Sequence, residues 1–273
     1  MNELSAAQLR YLNRQKRHRL TVILSRLAIL IGFFCLWEFC AATGVIDSFI
    51  FSSPSRIAVC FLDMARDGSI FLHIWVTLYE TIVSFLLVIA ISVLMAVALW
   101  LCPKLSEILD PYMVVLNSLP KSALAPLLIV WLGATTTTII VAGMSVAIFG
   151  SILNLYTAFR TVEPEKIKLI YTLRGTRLQA LTKAVIPSSI PALISTMKVN
   201  IGLCLVGVII GESLAGRQGL GYLIIYASQT FKLDWLLMSI VLLCLMAMLL
   251  YAVISLLERL CRRQIFGGGS RCK

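Results

Sequence analysis

The sequence alternates between long apolar runs and short polar segments. Six apolar runs are long enough to cross about 30 Å of hydrocarbon as helices that rise about 1.5 Å per residue. They cover residues 20–43, 72–101, 108–132, 137–160, 190–213 and 234–258. Because backbone groups inside a bilayer must be bonded internally, each run predicts a helix. We therefore expect an all-α membrane protein with six transmembrane helices and a polar segment between the fourth and the fifth.

The composition supports a membrane protein. Of the 273 residues, 59% are hydrophobic and 14% are charged, whereas a soluble domain is about half apolar and a quarter charged. The first run is too long for the apolar part of a secretion signal, so we expect an uncleaved anchor. The eight cysteines show no paired spacing and the two histidines are isolated. The sequence therefore indicates no disulfide framework, no metal site and no cofactor.

The positive charges predict the orientation of the spans. If the N-terminus is cytoplasmic, 17 of the 24 Lys and Arg residues fall in cytoplasmic segments, 4 in external segments and 3 within spans. Since cytoplasmic loops are enriched in these residues, we expect both termini in the cytoplasm. The expected domains are a basic N-terminus (1–19), a six-span region (20–260) with a cytoplasmic loop at 161–187, and a tail (261–273). The net charge of +11 is spread over four segments, so it does not indicate nucleic-acid binding.

The polar segment between the fourth and fifth runs predicts two short amphipathic helices. Pro164 suits the first turn of one helix, and Gly175 interrupts that helix. Thr176 and Gln179 then fit a capping box that starts the second helix, and we expect Pro187 to end it before the fifth span. Two roles are open for such a pair of helices. They could lie on anionic lipid, or they could form a docking element for a cytoplasmic partner.

Several short motifs occur in a fixed order over nearly the whole chain. Outside the polar segment these are Leu36-Trp37-Glu38, Ser53-Pro54-Ser55, the run from Leu119 to Leu127 with Trp131-Leu132-Gly133, Asn154 before a Glu-Pro-Glu turn, Gly211-Glu212, and the run from Gly219 to Ile224. Within the polar segment they are Thr172-Leu173, Arg177, Val185-Ile186-Pro187 and Pro191. Together these motifs resemble the nitrate/sulfonate/taurine branch of ABC-importer permeases, and those of the polar segment are similar to that family's EAA loop.

The polar segment also departs from the EAA pattern. Lys168, Leu169 and Ile170 occupy the Glu-Ala-Ala positions. Arg174 stands where the pattern has glycine, and Gly175 follows one residue later. We therefore expect the hinge between the two helices to be shifted by one residue, to Gly175.

The resemblance implies a homodimeric, multi-pass permease of the bacterial inner membrane, without enzymatic activity of its own. It would form the translocation path for a small organic or inorganic anion, such as a sulfonate, nitrate or taurine. Its partners would be a cytoplasmic ABC ATPase subunit, an extracytoplasmic substrate-binding protein, a second permease copy and membrane lipid. The residues expected to couple it to the ATPase are Lys168, Arg174, Gly175, Thr176, Arg177, Leu178, Leu181 and Pro187.

Polar residues within the spans are the candidates for the translocation path, because charges at membrane depth are costly. Lys121 lies between Pro120 and Pro126, and a broken helix that carries a cation suits an anion path. The alternative is that Lys121 pairs with an acid from a neighbouring span. The full candidate set is Pro120, Lys121, Asn154, Lys198 and Glu212.

The other polar positions leave alternatives open. Lys198 could line the path, or its long side chain could reach the cytoplasmic surface. Glu212 could belong to a gate or be an ordinary interfacial acid. Glu38 and Glu80 lie nearer span ends and are expected to be packing partners, and Asn154 could link helices through hydrogen bonds.

Two other functions are possible for a six-span protein. A stand-alone secondary transporter or channel would need no docking helices and would often show internal repeats. A lipid-modifying enzyme would need convergent catalytic groups, whereas the histidines and intramembrane acids of this chain are scattered. The docking segment therefore favours a transport subunit that relies on a partner for ATP hydrolysis.

Overall fold

The computed structural model describes residues 6–47 and 51–266, which form helices joined by turns. In chain order these are α1 (Ala6–Ala42), α2 (Pro54–Arg66), α3 (Ser69–Leu101), α4 (Pro103–Ser118), α5 (Lys121–Leu132), α6 (Thr136–Arg160), α7 (Pro164–Thr172), α8 (Arg177–Ala180), α9 (Ile186–Ala215), α10 (Leu220–Gln229) and α11 (Leu233–Phe266). A π-helical turn (Leu181–Val185) joins α8 to α9. The predicted all-α class is confirmed. The Gly-rich end of the predicted tail lies outside the described residues.

Among the described residues, five helical stretches are long and apolar enough to cross a membrane: Leu20–Ala42, Ser69–Leu101, Thr136–Arg160, Arg177–Ala215 and Leu233–Arg259. A sixth span exists if the pair α4 and α5 crosses as one. These two helices meet at an angle of 96°, so the run at 108–132 is interrupted next to Lys121, as expected of a broken helix between Pro120 and Pro126. Pro120 explains the break, because proline has no N–H and restricts the preceding residue. Leu119 is accordingly extended, with ψ 138°.

The fifth span begins earlier than its apolar run. The helix α8, the π-helical turn and α9 form one continuous stretch of 39 residues. Pro187 lies in the first turn of α9, so the prediction that it ends a helix is wrong. A proline inside an α-helix clashes with the carbonyl group four residues earlier. The wider π-helical turn, which ends at Val185, changes that spacing just before the proline.

The chain divides into two compact units, Met1–Asp63 and Met64–Lys273. In the first unit, the Glu38 carboxylate near the end of α1 accepts two hydrogen bonds from Ser55 in the first turn of α2. The donors are the Ser55 N–H at 3.1 Å and its hydroxyl at 2.8 Å. A negative charge is stabilised by the unpaired N–H groups at a helix N-terminus. Glu38 therefore fixes the start of α2, in line with its predicted packing role.

Helix α6 is the centre of the second unit and packs against both α3 and α9. Its contact with α9 is close, because a Cβ added at Gly207 would lie 2.8 Å from the Cα of Gly143 and 2.9 Å from the carbonyl oxygen of Ala142. On the other side, the Ser84 hydroxyl of α3 donates to the carbonyl of Ile140 at 3.1 Å. Small residues let helix backbones approach closely in a membrane. Gly207 therefore sets the distance between α6 and α9.

This contact predicts a contrast between two glycines of α9. Gly207→Ala should lower the free energy of unfolding by about 1–3 kcal/mol, because the added methyl group meets backbone atoms that cannot rotate away. Gly202→Ala is the matched control, since a Cβ at Gly202 meets nothing within 4 Å, and its effect should stay within about 1 kcal/mol. Denaturant titration of both variants in detergent measures the difference. Equal effects would show that the α6–α9 contact tolerates a side chain.

Candidate functional site

The first candidate site is the segment from α7 through the π-helical turn, residues 164–185, called the coupling segment below. Its turn pivots on Arg174, which has φ +56°. The N–H of Gly175 donates to the Ile170 carbonyl at 2.8 Å, and the N–H of Arg174 donates to the Tyr171 carbonyl at 2.9 Å. This pair of bonds is the Schellman motif, whose left-handed residue is usually glycine.

The hinge therefore lies at Arg174, and the expectation that it is shifted to Gly175 is wrong. The physical reason is that the two bonds that end α7, from the N–H groups of Arg174 and Gly175, require the left-handed residue to be at position 174. Gly175 is needed for space instead. A Cβ at Gly175 would lie 2.7 Å from the carbonyl oxygen of Ile170 and would also overlap with that residue's side chain.

The start of α8 matches the predicted capping box. The Gln179 N–H donates to Oγ1 of Thr176 at 3.3 Å, and the Thr176 N–H donates to Oε1 of Gln179 at 2.9 Å. Both donors would otherwise be unpaired at a helix N-terminus. The prediction of a helix that begins after Thr176 is confirmed.

Two predicted coupling residues attach α8 to the spans. The Arg177 guanidinium donates to the carbonyl of Trp100, at the end of α3, at 2.8 Å, and stands 5.4 Å from the centre of the Trp100 ring. Leu181 is 2% exposed and belongs to a hydrophobic cluster with Leu155 and Val185. A buried side chain cannot contact a partner, so Leu181 instead holds the π-helical turn after α8 against the span helices.

The surface of the coupling segment carries exposed leucines on both sides of the hinge. Leu169, Leu173 and Leu178 are 60%, 73% and 60% exposed. Leu169 and Leu173 are four residues apart and share one face of the helical segment. The basic residues Lys168 and Arg174 are exposed beside them. Of these leucines only Leu178 is among the predicted coupling residues. Leu169 in α7 and Leu173 directly after it could have been predicted as coupling residues, because exposed apolar side chains often mark a contact surface.

The second candidate site consists of the polar residues in the spans. At the break between α4 and α5, the Lys121 ammonium donates to the carbonyl of Leu116 at 2.5 Å and lies 5.5 Å from the centre of the Phe149 ring. In an uninterrupted helix that carbonyl would accept from the N–H of residue 120, which Pro120 lacks. Lys121 therefore supplies the donor that the proline removes, and its side chain is half-buried.

Lys198 and Asn154 have different surroundings. Lys198 forms an ion pair with Glu258 of α11 and lies 5.8 Å from the centre of the Tyr251 ring. Asn154 is exposed on α6. A hydrogen bond between helices, which the sequence analysis considered for Asn154, is made by Asn200 instead. The Asn200 side chain of α9 donates to the Ser151 hydroxyl of α6 at 2.8 Å.

Glu212 is completely buried near the end of α9. Its Oε1 accepts from the Thr77 hydroxyl at 2.7 Å, and its Oε2 accepts from the N–H of Gly221, at the start of α10, at 2.6 Å. The Leu220 N–H donates to the Thr77 hydroxyl oxygen at 2.8 Å, and the Gly219 N–H donates to Nδ1 of His73 at 3.0 Å. Glu212 thus joins α3, α9 and α10 through hydrogen bonds that fix the turn at 216–219.

The structure does not gather the path candidates into one cluster. In the part of the chain that it describes, Lys121, Lys198 and Glu212 have separate partners on different helices. Whether any of them lines the path therefore stays a prediction.

The hinge geometry predicts opposite effects of two substitutions. Arg174→Gly should stabilise the coupling segment by about 1 kcal/mol, because glycine adopts φ +56° without a steric penalty. Gly175→Ala should destabilise it, because the methyl group overlaps with Ile170. Thermolysin cleavage within residues 164–185 should slow in the first variant and accelerate in the second. The opposite order would show that the left-handed residue is not Arg174.

Comparisons with known proteins agree with this architecture. The sequence profile of the family described as "Binding-protein-dependent transport system inner membrane component" matches residues 88–266. The putative aliphatic sulfonates transport permease protein SsuC of Bacillus subtilis is 22% identical over 82% of this chain and 81% of its own length. The taurine transport system permease protein TauC of Escherichia coli is 22% identical over 88% of both chains.

A solved structure of the MetNI methionine ABC transporter in an inward-facing conformation shares the fold. It superposes with a TM-score of 0.63 at 18% identity and covers 71% of this chain and 97% of that chain. Members of this family are non-enzymatic membrane subunits that work with an ATPase and a binding protein. The chain belongs to the family of binding-protein-dependent transport system inner membrane components and is an ABC-importer permease.

Proposed function

We propose that this permease moves a small anion of the sulfonate, nitrate or taurine type, and that the coupling segment is the surface on which its ATPase docks. The observation that carries the proposal is the set of exposed leucines on the coupling segment, whose second helix, α8, is continuous with the fifth span. The names of the sulfonate and taurine permeases support the substrate class.

The continuous stretch from α8 to α9 gives the proposal a mechanical basis. Its 39 residues span roughly 55–60 Å at 1.5 Å per residue. One end carries the exposed Leu178 of the coupling segment, and the other carries the buried Glu212. A movement of the docked ATPase would therefore be transmitted along a helix without an intervening loop. In this proposal the exposed leucines, Lys168 and Arg174 contact the ATPase. Gly175 and Thr176 shape the segment, and Pro187 lies just after it in the first turn of α9.

The proposal includes the orientation and the assembly. We place both termini and the coupling segment in the cytoplasm, which the distribution of Lys and Arg supports. A second copy of the permease and membrane lipid would cover apolar side chains that the single chain leaves exposed. Examples are Leu94, Val206 and Leu245, which are 69%, 50% and 52% exposed.

The docking role of the exposed leucines predicts a loss of ATPase binding on charge insertion. Leu173→Asp should weaken binding of the ATPase subunit about tenfold or more, because a carboxylate would be buried in an apolar contact. Phe231→Asp is the control, since Phe231 is similarly exposed at 71% and lies in the turn before α11, outside the coupling segment. Pull-down of the ATPase with each purified variant measures the effect. Unchanged binding by Leu173→Asp would refute the docking role of the exposed leucines in the coupling segment.

The charge of Lys121 is the second test of the function. If it attracts the anion, Lys121→Gln should lower uptake by roughly tenfold, because glutamine can still donate a hydrogen bond but has no charge. Lys121→Arg keeps the charge and should retain most of the uptake. The readout is uptake by vesicles that contain the complete transporter, with ATPase binding as the control. Full uptake by Lys121→Gln would mean that Lys121 serves only the Leu116 carbonyl.

A further inference from the structure

A pocket of about 340 Å³ opens in the second unit, where the end of α3, the start of α4, the end of α6 and the start of α8 meet. The volume is in the range of small-ligand sites. The membrane-spanning stretches of α3 and α6 end here, at Leu101 and Arg160. The pocket therefore lies at the depth of a membrane surface, beside the coupling segment to which α8 belongs.

Two guanidinium groups line this pocket, and each is held against an aromatic ring. The Arg177 guanidinium donates to the Trp100 carbonyl at 2.8 Å and lies 5.4 Å from the centre of the Trp100 ring. The Arg160 guanidinium lies 5.8 Å from the centre of the Tyr156 ring. A ring or a carbonyl orients a guanidinium without neutralising its charge. Since neither arginine forms an ion pair with another described residue, both charges remain open to a ligand.

The rest of the lining sets the shape and the net charge of the pocket. The hydroxyl groups of Ser106 in α4 and Tyr156 in α6 share a hydrogen bond, and both residues are buried. This bond ties α4 to α6 where they line the pocket. Glu107 is the acid among the lining residues, and it is exposed. Two guanidinium groups against one carboxylate favour a ligand with a net negative charge.

Exposed apolar side chains continue from the pocket along α4. Ile108, Tyr112 and Val115 are 61%, 64% and 63% exposed, and their spacing of four and three residues puts them on one face of the helix. This face begins directly after Glu107. A ligand that has an acidic group and an apolar chain can therefore place the first between the arginines and the second along α4. Phospholipids combine these two parts.

We propose that this pocket binds the phosphate group of an anionic phospholipid, which Arg160 and Arg177 contact from two helices. Basic pockets between membrane-spanning helices suit such headgroups, and a guanidinium pairs with phosphate through two parallel N–H···O bonds. The bound phosphate connects the end of α6 to the start of α8. The inference goes beyond the proposed transport function, because it assigns a lipid site that does not depend on what docks on the exposed leucines.

Two lipids that differ only in the headgroup test the proposal. Dihexanoyl phosphatidylglycerol has a net negative charge, whereas dihexanoyl phosphatidylcholine has the same acyl chains and no net charge. We expect the full-length permease in neutral detergent to bind phosphatidylglycerol about tenfold more tightly or better, as measured by titration with native mass spectrometry. Arg160→Gln and Arg177→Gln should each weaken phosphatidylglycerol binding by about tenfold, because each removes a charge-assisted hydrogen-bond donor.

A control variant separates the pocket from general surface charge. Lys104→Gln removes an exposed cation of α4 outside the pocket lining, and it should bind phosphatidylglycerol normally. The Arg160 side chain donates no hydrogen bond to another described residue, so Arg160→Gln removes a ligand contact without breaking such a bond. Inorganic phosphate at the same concentration as the lipid should not displace it.

Four results would overturn the proposal. They are equal binding of the two lipids, normal phosphatidylglycerol binding by Arg160→Gln, an equal loss of binding in Lys104→Gln and Arg160→Gln, and displacement of the lipid by inorganic phosphate. The last result would identify a free phosphate ion as the ligand. The titrations contain no ATPase, so their failure is distinct from a failure of ATPase docking.

Discussion

Helix breaks inside an apolar region leave backbone groups that only the protein itself can pair, and this constraint places several polar residues of the permease. At the break in the third span, Lys121 supplies the donor that Pro120 lacks. After the fifth span, Glu212 accepts the N–H of Gly221 at the start of α10. Both residues lie beside helix breaks and pair a backbone group there, so part of their role is structural. Any role in transport would be added to a position that the backbone already requires.

The coupling segment, at the other end of the continuous stretch from α8 to α9, also pairs its helix ends internally. Its first helix ends in a Schellman motif on Arg174, and its second begins with the capping box of Thr176. Each end of the turn is thus closed by its own hydrogen bonds. Arg177 and Leu181 then fix the second helix to the ends of the spans. The result is a firmly attached segment that still exposes leucines, which is the combination that a docking surface requires.

Sequence reasoning found the features that depend on local chemistry. The apolar runs predicted the spans, and Thr176 with Gln179 predicted the helix start, because both signals lie within a few residues of the element they form. It failed where the outcome depends on neighbouring structure. Pro187 is a helix breaker in isolation but is accommodated after a π-helical turn. The pairing of Lys198 with Glu258, 60 residues apart in the sequence, could not be read from periodicity.

The central claim is that the coupling segment is the ATPase contact and is continuous with the fifth span. Amide hydrogen exchange of the permease in nanodiscs, with and without its ATPase subunit, tests this most directly. The account predicts slower exchange across residues 164–185 when the ATPase is bound, because the exposed leucines and nearby backbone become covered. It predicts little change in the turn before α11. Unchanged exchange in the coupling segment, together with proven ATPase binding, would contradict it.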